Sequence, residues 1–299
     1  MSAPLITVQL CTYNRRALLG RVMNALFDQD LDPGEYEIVL VDDGSNDGSY
    51  EEVIAALRPT CALHVIRQRN AGLARGRNAG LLRARGGIVL FMDDDVLATR
   101  GLLSAHLRFH RAHARAICRG AVINVASFEA LPPPRYGVRN YSGAYFWTTN
   151  VSVPRQLIDE AGRFDERFRE YGWEDLELGY RLRRMHVPSI LATDALVYHY
   201  KPAPRRDQFA GMVKQARAQA RTAVQFYEKH PHWRIAVATG QIGPLLMWSA
   251  VARAAGWPRV LERLARREDE RPPSALQRWA AARLARAAYY EELAKARMA

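Results

Sequence analysis

The chain has 299 residues, of which 48% are apolar and 9% aromatic, so a large folded core is expected and intrinsic disorder is excluded. Its cysteines, Cys11, Cys61 and Cys118, are too few and too far apart for a disulfide framework or a zinc site, so a reducing cytosol is expected. Residues 1–200 hold 24 basic against 23 acidic residues, whereas residues 201–299 hold 19 against 8, so the last third carries nearly all of the net charge of +12.

The first ninety residues alternate apolar runs with helical patterns. The apolar runs predict strands at 6–10, 37–41, 63–66 and 88–92, and the helical patterns lie at 15–29, 49–57 and 73–85. This alternation predicts β-α-β units and a parallel sheet. Because the apolar runs lack polar alternation, the strands are expected to be buried on both faces.

The middle of the chain is less regular. It suggests short helices at 156–161 and 174–184 and late strands at 190–191 and 195–198, and the pattern beyond Pro202 is helical to the end. We therefore expect an α/β catalytic domain at residues 1–204 and a basic helical C-terminal region at residues 205–299.

The sequence predicts neither a secretory signal at its start nor a membrane span in its most apolar stretch. The start, MSAPLITVQL, alternates like a strand and lacks the basic region and the long apolar run of a secretory signal. The stretch from Ile235 to Ala252 is free of charge, but Gly240, Gly243 and Pro244 interrupt it, so we do not predict a membrane span there.

Polar clusters follow three of the predicted strands. They are Thr12-Tyr13-Asn14, Asp42-Asp43 and Asp93-Asp94-Asp95. Ligands of open α/β sheets bind beyond the carboxyl ends of the strands, so these clusters are expected to face one crevice. Adjacent carboxylates raise one another's pKa unless a cation compensates them, and Asp-x-Asp suits Mg²⁺ or Mn²⁺. The sequence therefore predicts a divalent cation at the end of the fourth strand, with surplus acid in a turn or helix cap as the alternative.

Two further stretches carry charged groups near helix starts. The glycines of Gly72–Gly80 are spaced by four, which fits neither a dinucleotide fingerprint nor a P-loop. Arg75 and Arg77 in this stretch could contact a base or a diphosphate, and the sequence does not choose between them. In Gly172–Leu182, Glu174-Asp175 falls in a first helical turn, either as capping acids or as a general base at a site mouth beside Trp173.

Taken together, these motifs resemble those of family 2 glycosyltransferases with the GT-A fold. The resemblance covers about residues 5–200 and rests on 6–14, 39–45, 72–80, 91–95 and 172–182 in the expected order. It implies a Rossmann-like, mostly parallel sheet flanked by helices, here with a C-terminal helical appendage. It also implies a metal-dependent, inverting transfer of a sugar from a nucleotide-diphospho-sugar, with a UDP-sugar favoured, to the hydroxyl group of a glycan or lipid-linked acceptor.

The resemblance also implies roles for individual residues. Nucleotide and donor binding falls to Thr12, Tyr13, Asn14, Asp43, Arg75, Arg77 and Asn78, with Asp93 or Asp94 at the ribose. Asp95, and His199 in a late strand, would bind Mn²⁺ or Mg²⁺. Asp175 would be the catalytic base and Glu174 an acceptor contact. Trp173 and Trp147, the latter in the loop Ser142–Asn150, would lie on the acceptor side; the loop could equally be a core strand.

Other functions remain as alternatives. A sugar-nucleotide nucleotidyltransferase should carry a glycine-rich loop after the first strand, which Cys11–Arg16 lacks. A basic nucleic-acid-binding protein should carry its basic, aromatic face on the folded core, whose charge is balanced here. The basic C-terminal region fits either peripheral contact with an anionic membrane or a helical lid or oligomer surface. We expect a cytoplasmic protein, which would be peripheral at the inner face of the cell membrane if the C-terminal region contacts lipid.

Overall fold

The computed structural model describes residues 3–137, 140, 142–266 and 272–298. The described chain divides into two compact units. The first unit comprises residues 1–169 and 174–202, and the second comprises residues 170–173 and 203–299. The division at 202/203 lies close to the boundary expected from the sequence. The four residues 170–173 join the C-terminal unit even though the chain around them belongs to the first.

Eight strands within the described residues form one sheet in the first unit. They are β1 (Ile6–Thr12), β2 (Tyr36–Asp42), β3 (Ala62–Arg67), β4 (Ile88–Asp93), β5 (Val96–Ala98), β6 (Ile117–Val125), β7 (Asn150–Pro154) and β8 (Ser189–Tyr200). Their spatial order is β3-β2-β1-β4-β7-β6-β8-β5. The pairs β1-β2, β1-β4, β2-β3 and β6-β8 are parallel, whereas β4-β7, β6-β7 and β5-β8 are antiparallel.

The four strands predicted from apolar runs are present as β1 to β4 and pair in parallel. Residues 6–10 of β1, 36–42 of β2 and 89–92 of β4 are buried, which agrees with the missing polar alternation. The expectation of burial is wrong for β3, which is exposed or only partly buried because it lies at the edge of the sheet and pairs with β2 alone among the described strands. Crossover helices connect parallel strands, because a hairpin turn cannot reverse the chain direction twice. The sequence pattern therefore identified the parallel half of the sheet, β1 to β4.

The helices of the first unit cover this sheet. They are α1 (Arg16–Phe27), α2 (Leu73–Arg83), α3 (Leu102–Ala112), α4 (Arg155–Glu160) and α5 (Glu174–Arg184). The apolar face of α1 buries Leu19, Val22, Met23 and Leu26 in the main core. The helix predicted at 49–57 is instead a π-helical turn, Ser49–Val53, followed by a 3₁₀ turn, Ile54–Ala56.

The two late strands predicted from the sequence form one continuous strand, β8. Its pairing with β6 jumps from Gly120–Ala192 to Ala121–Leu196, so residues 193–195 form an irregularity within the strand. Such a bulge interrupts the apolar pattern without ending the ladder. The sequence therefore suggested two short strands where the structure has one.

The C-terminal unit is helical. It contains a 3₁₀ turn at Arg206–Gln208 and the helices α6 (Phe209–Lys229), α7 (Trp233–Ala238), α8 (Gly243–Ala254), α9 (Trp257–Ala265) and α10 (Ala275–Ala296). Small buried alanines at 220, 223, 280 and 281 let these helices pack closely. By length and composition the stretch Trp233–Ala254 could span a membrane, with a mean hydropathy of 1.4. The helical path breaks between α7 and α8, where Gly240 has φ 71°, so the stretch is not one continuous helix.

Candidate active site

The carboxyl ends of the central strands lie side by side, as the sequence predicts. Thr12 of β1 is aligned with Asp42 of β2, and Cys11 is aligned with Asp93 of β4. Burial raises the pKa of the Cys11 thiol to about 12, and the charges of Arg77, Asp43 and Asp94 all act on it. The polar clusters that follow β1, β2 and β4 therefore meet at one edge of the sheet.

The turn after β1 is fixed by the loop that follows β2. Asn14 adopts a left-handed conformation, with φ 54°, and its backbone N–H donates to Ser45 Oγ over 2.9 Å. Its side-chain oxygen accepts from the backbone N–H of Asn46 over the same distance. Thr12 is buried, whereas 47% of Tyr13 remains exposed. The Tyr13 ring is thus accessible to solvent, and hydrogen bonds between Asn14 and the loop after β2 hold the turn that carries it.

Asp43 organises the loop that leads into α2. Its Oδ1 accepts from Gln68 Nε2 over 2.7 Å and from the backbone N–H of Ala71 over 3.0 Å, and its Oδ2 accepts from the backbone N–H of Gly72 over 3.0 Å. The carboxylate is buried. These bonds hold the loop against the ends of β1 and β2, and one acceptor position on Oδ2 is left for a ligand.

Two glycines bring α2 close to β1. A Cβ atom on Gly76 would lie 3.0 Å from Cys11 Sγ, and one on Gly80 would lie 2.6 Å from Gln9 Nε2. Because the helix approaches the sheet on this face, Arg77 points inward and is 5% exposed, whereas Arg75 is exposed. The structure thereby separates the two arginines that the sequence left as rivals.

Asn78 forms part of the same buried layer. Its Nδ2 donates to the Phe164 carbonyl over 2.9 Å and to Glu166 Oε1 over 3.0 Å, and its Oδ1 accepts from the Phe164 N–H over 3.0 Å. These protein partners occupy most of the hydrogen-bonding capacity of the amide. Asn78 therefore fastens α2 to the segment 164–166.

Arg77 joins two of the expected site residues, Glu174 and Asp93. Its Nη1 donates to Glu174 Oε1 over 2.6 Å, its Nη2 donates to Thr148 Oγ1 over 2.7 Å, and Nη2 lies 3.6 Å from Asp93 Oδ1. Asp93 Oδ2 in turn accepts from Thr149 Oγ1 over 2.6 Å. One buried guanidinium thus links the end of β4 with the start of α5. This contact brings the Asp-x-Asp and Glu-Asp motifs together.

Asp175 lies next to this pair in the first turn of α5. Its Oδ1 accepts from the backbone N–H of Leu176 over 2.7 Å, and its Oδ2 lies 3.5 Å from the Thr148 backbone nitrogen. Burial, and then the charge of Glu174, raise the pKa of Asp175 to about 7, while Arg77 opposes the shift. A carboxyl group with this pKa can accept a proton near neutral pH.

Glu174 has one oxygen without a partner in the described structure. Its Oε1 is paired with Arg77, whereas its Oε2 is buried and accepts no hydrogen bond from any described residue. A buried, unpaired carboxylate oxygen is costly unless something else supplies a donor. The oxygen therefore marks a place where a donor group of a ligand would be stabilised.

The acidic end of β4 is partly neutralised by Arg15. The Arg15 Nε lies 3.3 Å from Asp94 Oδ1, and its Nη2 lies 3.3 Å from Asp95 Oδ2. Burial raises the pKa of Asp94 to about 7, with Arg15 opposing the shift and Asp95 and Asp93 adding to it. Burial and the charge of Asp93 likewise raise the pKa of Asp95. The cluster carries more negative charge than one guanidinium compensates.

The chemistry of Asp95 and His199 fits a divalent cation. His199 Nδ1 lies 2.9 Å from Asn124 Oδ1, so a proton on Nδ1 leaves the Nε2 lone pair facing Asp95 Oδ1 at 3.6 Å. Burial lowers the pKa of His199, which keeps the imidazole neutral, as a metal ligand requires. In the described chain no three His, Cys, Asp or Glu side chains converge on one point. A cation here would therefore take further oxygens from water or a ligand phosphate.

The two tryptophans expected on the acceptor side have different surroundings. Trp147 is half-buried, and its ring lies 6.4 Å from the His199 ring in an edge-on arrangement. Trp173 belongs to the C-terminal unit, where its Nε1 donates to the Gln219 carbonyl over 2.9 Å and its ring lies 6.2 Å from that of Phe226. The segment before Asn150 is a loop with the buried side chain of Phe146, not a strand.

Comparison with known proteins agrees with this geometry. The sequence profile described as glycosyl transferase family 2 matches residues 7–165, more than half of the chain. The chain belongs to this family. Among its relatives is the validoxylamine A glucosyltransferase of Streptomyces hygroscopicus subsp. limoneus, which is 29% identical over 230 residues, or 64% of this chain and 51% of that protein. Another is the uncharacterized glycosyltransferase YfnE of Bacillus subtilis, 25% identical over 251 residues, or 64% of each chain.

Solved structures identify the fold of this family 2 chain as GT-A. The mannosyltransferase PcManGT of Pyrobaculum calidifontis, solved with GDP-Man and Mn²⁺, has a TM-score of 0.62 at 20% identity, over 98% of this chain and 87% of that one. TarS 1-349 of S. aureus has a TM-score of 0.58 at 19% identity, over 98% and 90%. The chain spans about half the length of the first curated relatives that it matches. The expected fold class is confirmed.

Sequence reasoning missed several residues of the family 2 site. Arg15 follows Asn14 directly and could have been found as the cation nearest the strand-end acids. Thr148 and Thr149 stood out only as part of the loop before β7. Asn124 lies on β6, which had no clear pattern, so its contact with His199 had no signal in the sequence.

Proposed function

We propose that this chain is a cation-assisted, inverting glycosyltransferase that moves a sugar from a nucleotide-diphospho-sugar to a hydroxyl acceptor. The observation that carries the proposal is the link through Arg77, which joins the acidic end of β4 to the Glu174-Asp175 pair. A leaving diphosphate needs positive charge, and an attacking hydroxyl needs a base nearby. The Glu174-Asp175 pair would supply the base, and a cation held at the acidic end of β4 would supply the positive charge.

The donor nucleotide would lie across the ends of β1 and β2. Tyr13 offers an exposed ring for stacking on the base, and the open acceptor position on Asp43 Oδ2 suits a base N–H. Asp93 or Asp94 would accept from the ribose hydroxyls. A uridine nucleotide is the favoured donor, and structural neighbours include TarS with UDP-GlcNAc as well as PcManGT with GDP-Man.

Arg75 and Arg77 would have different roles, although the sequence allows either of them to contact the base or the diphosphate. Arg75 is exposed and so can reach a phosphate or a base. Arg77 is buried on Glu174 and Thr148, so we propose that it positions the catalytic acids and does not contact the donor. Asn78 would support Arg77 by fastening α2, and Asn14 would support the base site by fixing the turn that carries Tyr13.

Asp95 and His199 would hold Mn²⁺ or Mg²⁺. A cation at this site supplies Lewis acidity that stabilises charge on the departing diphosphate. Structural neighbours solved with Mn²⁺ include PcManGT and GalNAc-T7. Arg15 now lies over Asp94 and Asp95, and we propose that it turns to the donor phosphates when the acids are neutralised by the cation.

Asp175 would take the proton from the acceptor hydroxyl. Its raised pKa matches this role, because a base with a pKa near the working pH is both deprotonated and strong enough to act. Attack from the face opposite the diphosphate inverts the anomeric configuration in one step, without a covalent sugar intermediate. Glu174 Oε2 would accept from a second acceptor hydroxyl, and Trp147 would offer an apolar face to the acceptor.

A donor screen and two variants test the proposal. A matching nucleotide should raise the melting temperature when Mn²⁺ is present, since a ligand that binds only the folded state stabilises it. Asp175→Asn should abolish transfer while the stabilisation by donor and Mn²⁺ persists. If Asp175→Asn keeps the full transferase rate, Asp175 is not the base. If no nucleotide-sugar stabilises the protein, the proposed function is wrong.

A further inference from the structure

The C-terminal unit contains a large groove that the proposed chemistry does not use. Its volume is about 1350 Å³, and it lies among α6, α8, α9 and α10. Typical small-ligand pockets measure about 300–1,000 Å³, so this groove exceeds the size of most metabolite sites. We call it the arginine groove, because basic side chains dominate its walls.

The arginine groove carries an excess of positive charge, because nine basic and two acidic side chains line it. The charges of Arg217 and Arg253 act on one of those acids, Glu291. Six exposed basic side chains that line it form no salt bridge with any described residue: Lys214, Arg217, Arg253, Arg259, Arg283 and Arg286. Its two lining acids are already paired. Glu262 contacts Arg266 over 2.8 Å, and Glu291 contacts Lys295 over 2.7 Å. The groove therefore favours an anionic occupant.

Aromatic side chains accompany these charges. Trp248 and Trp257 line the groove and are 73% and 53% exposed, although tryptophan is normally well buried. The Arg283 guanidinium carbon lies 5.7 Å from the centre of the Trp279 ring. Amphipathic rings beside cations are the combination found at the headgroup level of a bilayer.

Helix α8 adds apolar surface beside the groove. None of its residues, Gly243–Ala254, is buried, and the structure describes all of them. Met247 and Val251 are 68% and 56% exposed. Only 22% of the apolar 18-residue window within Trp233–Ala254 is buried. An apolar helix left uncovered in this way needs a partner that removes it from water.

We infer that the arginine groove and the exposed face of α8 form a docking surface for a membrane that contains anionic phospholipids. The basic side chains would contact lipid phosphates, and Trp248 and α8 would enter the interface between headgroups and acyl chains. A soluble polyanion would satisfy the charge but would leave the apolar face of α8 in water, so the lipid surface accounts for both features. This inference goes beyond the proposed function and stands without it.

Vesicle co-sedimentation tests the inference. The full chain would be mixed with phosphatidylcholine vesicles, with or without 30% phosphatidylglycerol, at low and high salt. We expect binding to the anionic vesicles that weakens as salt rises. One basic residue contributes about 1 kcal/mol near an anionic surface, so R253Q/R259Q should weaken binding roughly 10- to 30-fold. Trp248→Ser should also weaken it, because the apolar contact is lost.

A matched control removes the same charge elsewhere in the unit. Arg263 and Arg297 are exposed and do not line the groove, so R263Q/R297Q should weaken binding much less than the groove pair does. Circular dichroism and melting temperature would verify that each variant folds; all substituted side chains are exposed. Equal losses in both pairs would refute the groove as the docking surface.

Three other results would overturn the inference. One is the absence of binding to anionic vesicles at low salt. Another is a pair of results: polyphosphate binds the groove, and Trp248→Ser binds vesicles as well as the wild-type chain does. This pair would assign the groove to a soluble polyanion. The last is a dimer in vesicle-free buffer that Trp248→Ser converts to monomer, which would make the face of α8 an interface between copies of this chain.

Discussion

The pKa of Asp175 gives the account a sharp test. Glu174 is the largest charge that raises this pKa, after burial itself. Glu174→Gln removes that charge but keeps a side-chain oxygen that can accept from Arg77 Nη1. The guanidinium, freed from its neighbouring carboxylate, would then act more strongly on Asp175. Both changes favour the deprotonated carboxylate, so the pKa of Asp175 should fall.

The size of the shift follows from the structure. The pKa of Asp175 is about 7 against an ordinary value of 3.8, and burial accounts for the largest part of this rise. A close like charge typically contributes about one unit, or about 1.4 kcal/mol, so we expect a pKa near 6 in Glu174→Gln. At pH 6 the active, deprotonated fraction would rise from about 0.1 to about 0.5.

The assay is the pH dependence of kcat/KM, with each profile divided by its own plateau. The wild-type kcat/KM should rise with pH and level off above about pH 7. In Glu174→Gln the rising part of the profile should lie about one pH unit lower. Glu166→Gln is the control, because it removes a carboxylate that contacts Asn78 and not Asp175. A limb that stays in place in Glu174→Gln, or that moves equally in Glu166→Gln, would refute the assignment of Asp175.

Three further predictions concern the cation site and the fold. Arg15→Gln should tighten Mn²⁺ binding in the absence of nucleotide, measured by titration calorimetry, because Arg15 competes for the acids at the end of β4; weaker binding would contradict this competition. Gly80→Ala should destabilise the fold by about 1–3 kcal/mol in urea unfolding, since its methyl group overlaps a buried glutamine, whereas Gly87→Ala meets open space and should change little. Burial lowers the pKa values of His106 and His110 to about 4, so the unfolded state gains protons first as pH falls below about 6.5. The free energy of unfolding should therefore drop by about 4 kcal/mol between pH 7 and 5. His110→Asn should halve that pH dependence in urea unfolding, and an unchanged slope would contradict it.

The parallel half of the sheet could be predicted because three of its four strands, β1, β2 and β4, are buried on both faces, and the edge strand β3 still carries a short apolar run. Continuous apolar runs such as 37–41 have few other interpretations, and the ends of parallel strands must meet at one edge. The register of β1 with β2 and β4 confirmed that expectation. The acids of the site were therefore accessible to reasoning from sequence.

The other half of the sheet depends on contacts between distant segments. Strand β7, Asn150–Pro154, is short and partly polar, and it is a strand because β4 and β6 pair with it on either side. Gly120 of β6 lies where the pairing with β8 shifts register, and a Cβ atom there would lie 2.1 Å from Asn150 Nδ2. The pattern of apolar residues within a short segment does not predict which distant strands will pair with it.

Arg75 is exposed and Arg77 is buried, and the local sequence did not predict this difference either. Both lie on one helix, and charge alone does not tell which points inward. Gly76 and Gly80 are the clue, because small residues let one face of α2 approach β1. The burial of Arg77 on Glu174 then depends on α5, which is nearly a hundred residues away in the chain.

Calorimetry of nucleoside diphosphate binding tests the central claim most directly. UDP and GDP would be titrated into the wild-type chain and into Asp95→Asn, each with Mn²⁺ and with EDTA. We expect Mn²⁺ to strengthen binding of the preferred nucleotide to the wild-type chain at least about tenfold, and we expect Asp95→Asn to lose this gain. Equal affinity with Mn²⁺ and with EDTA, or a full Mn²⁺ effect in Asp95→Asn, would contradict a cation held between the end of β4 and the diphosphate.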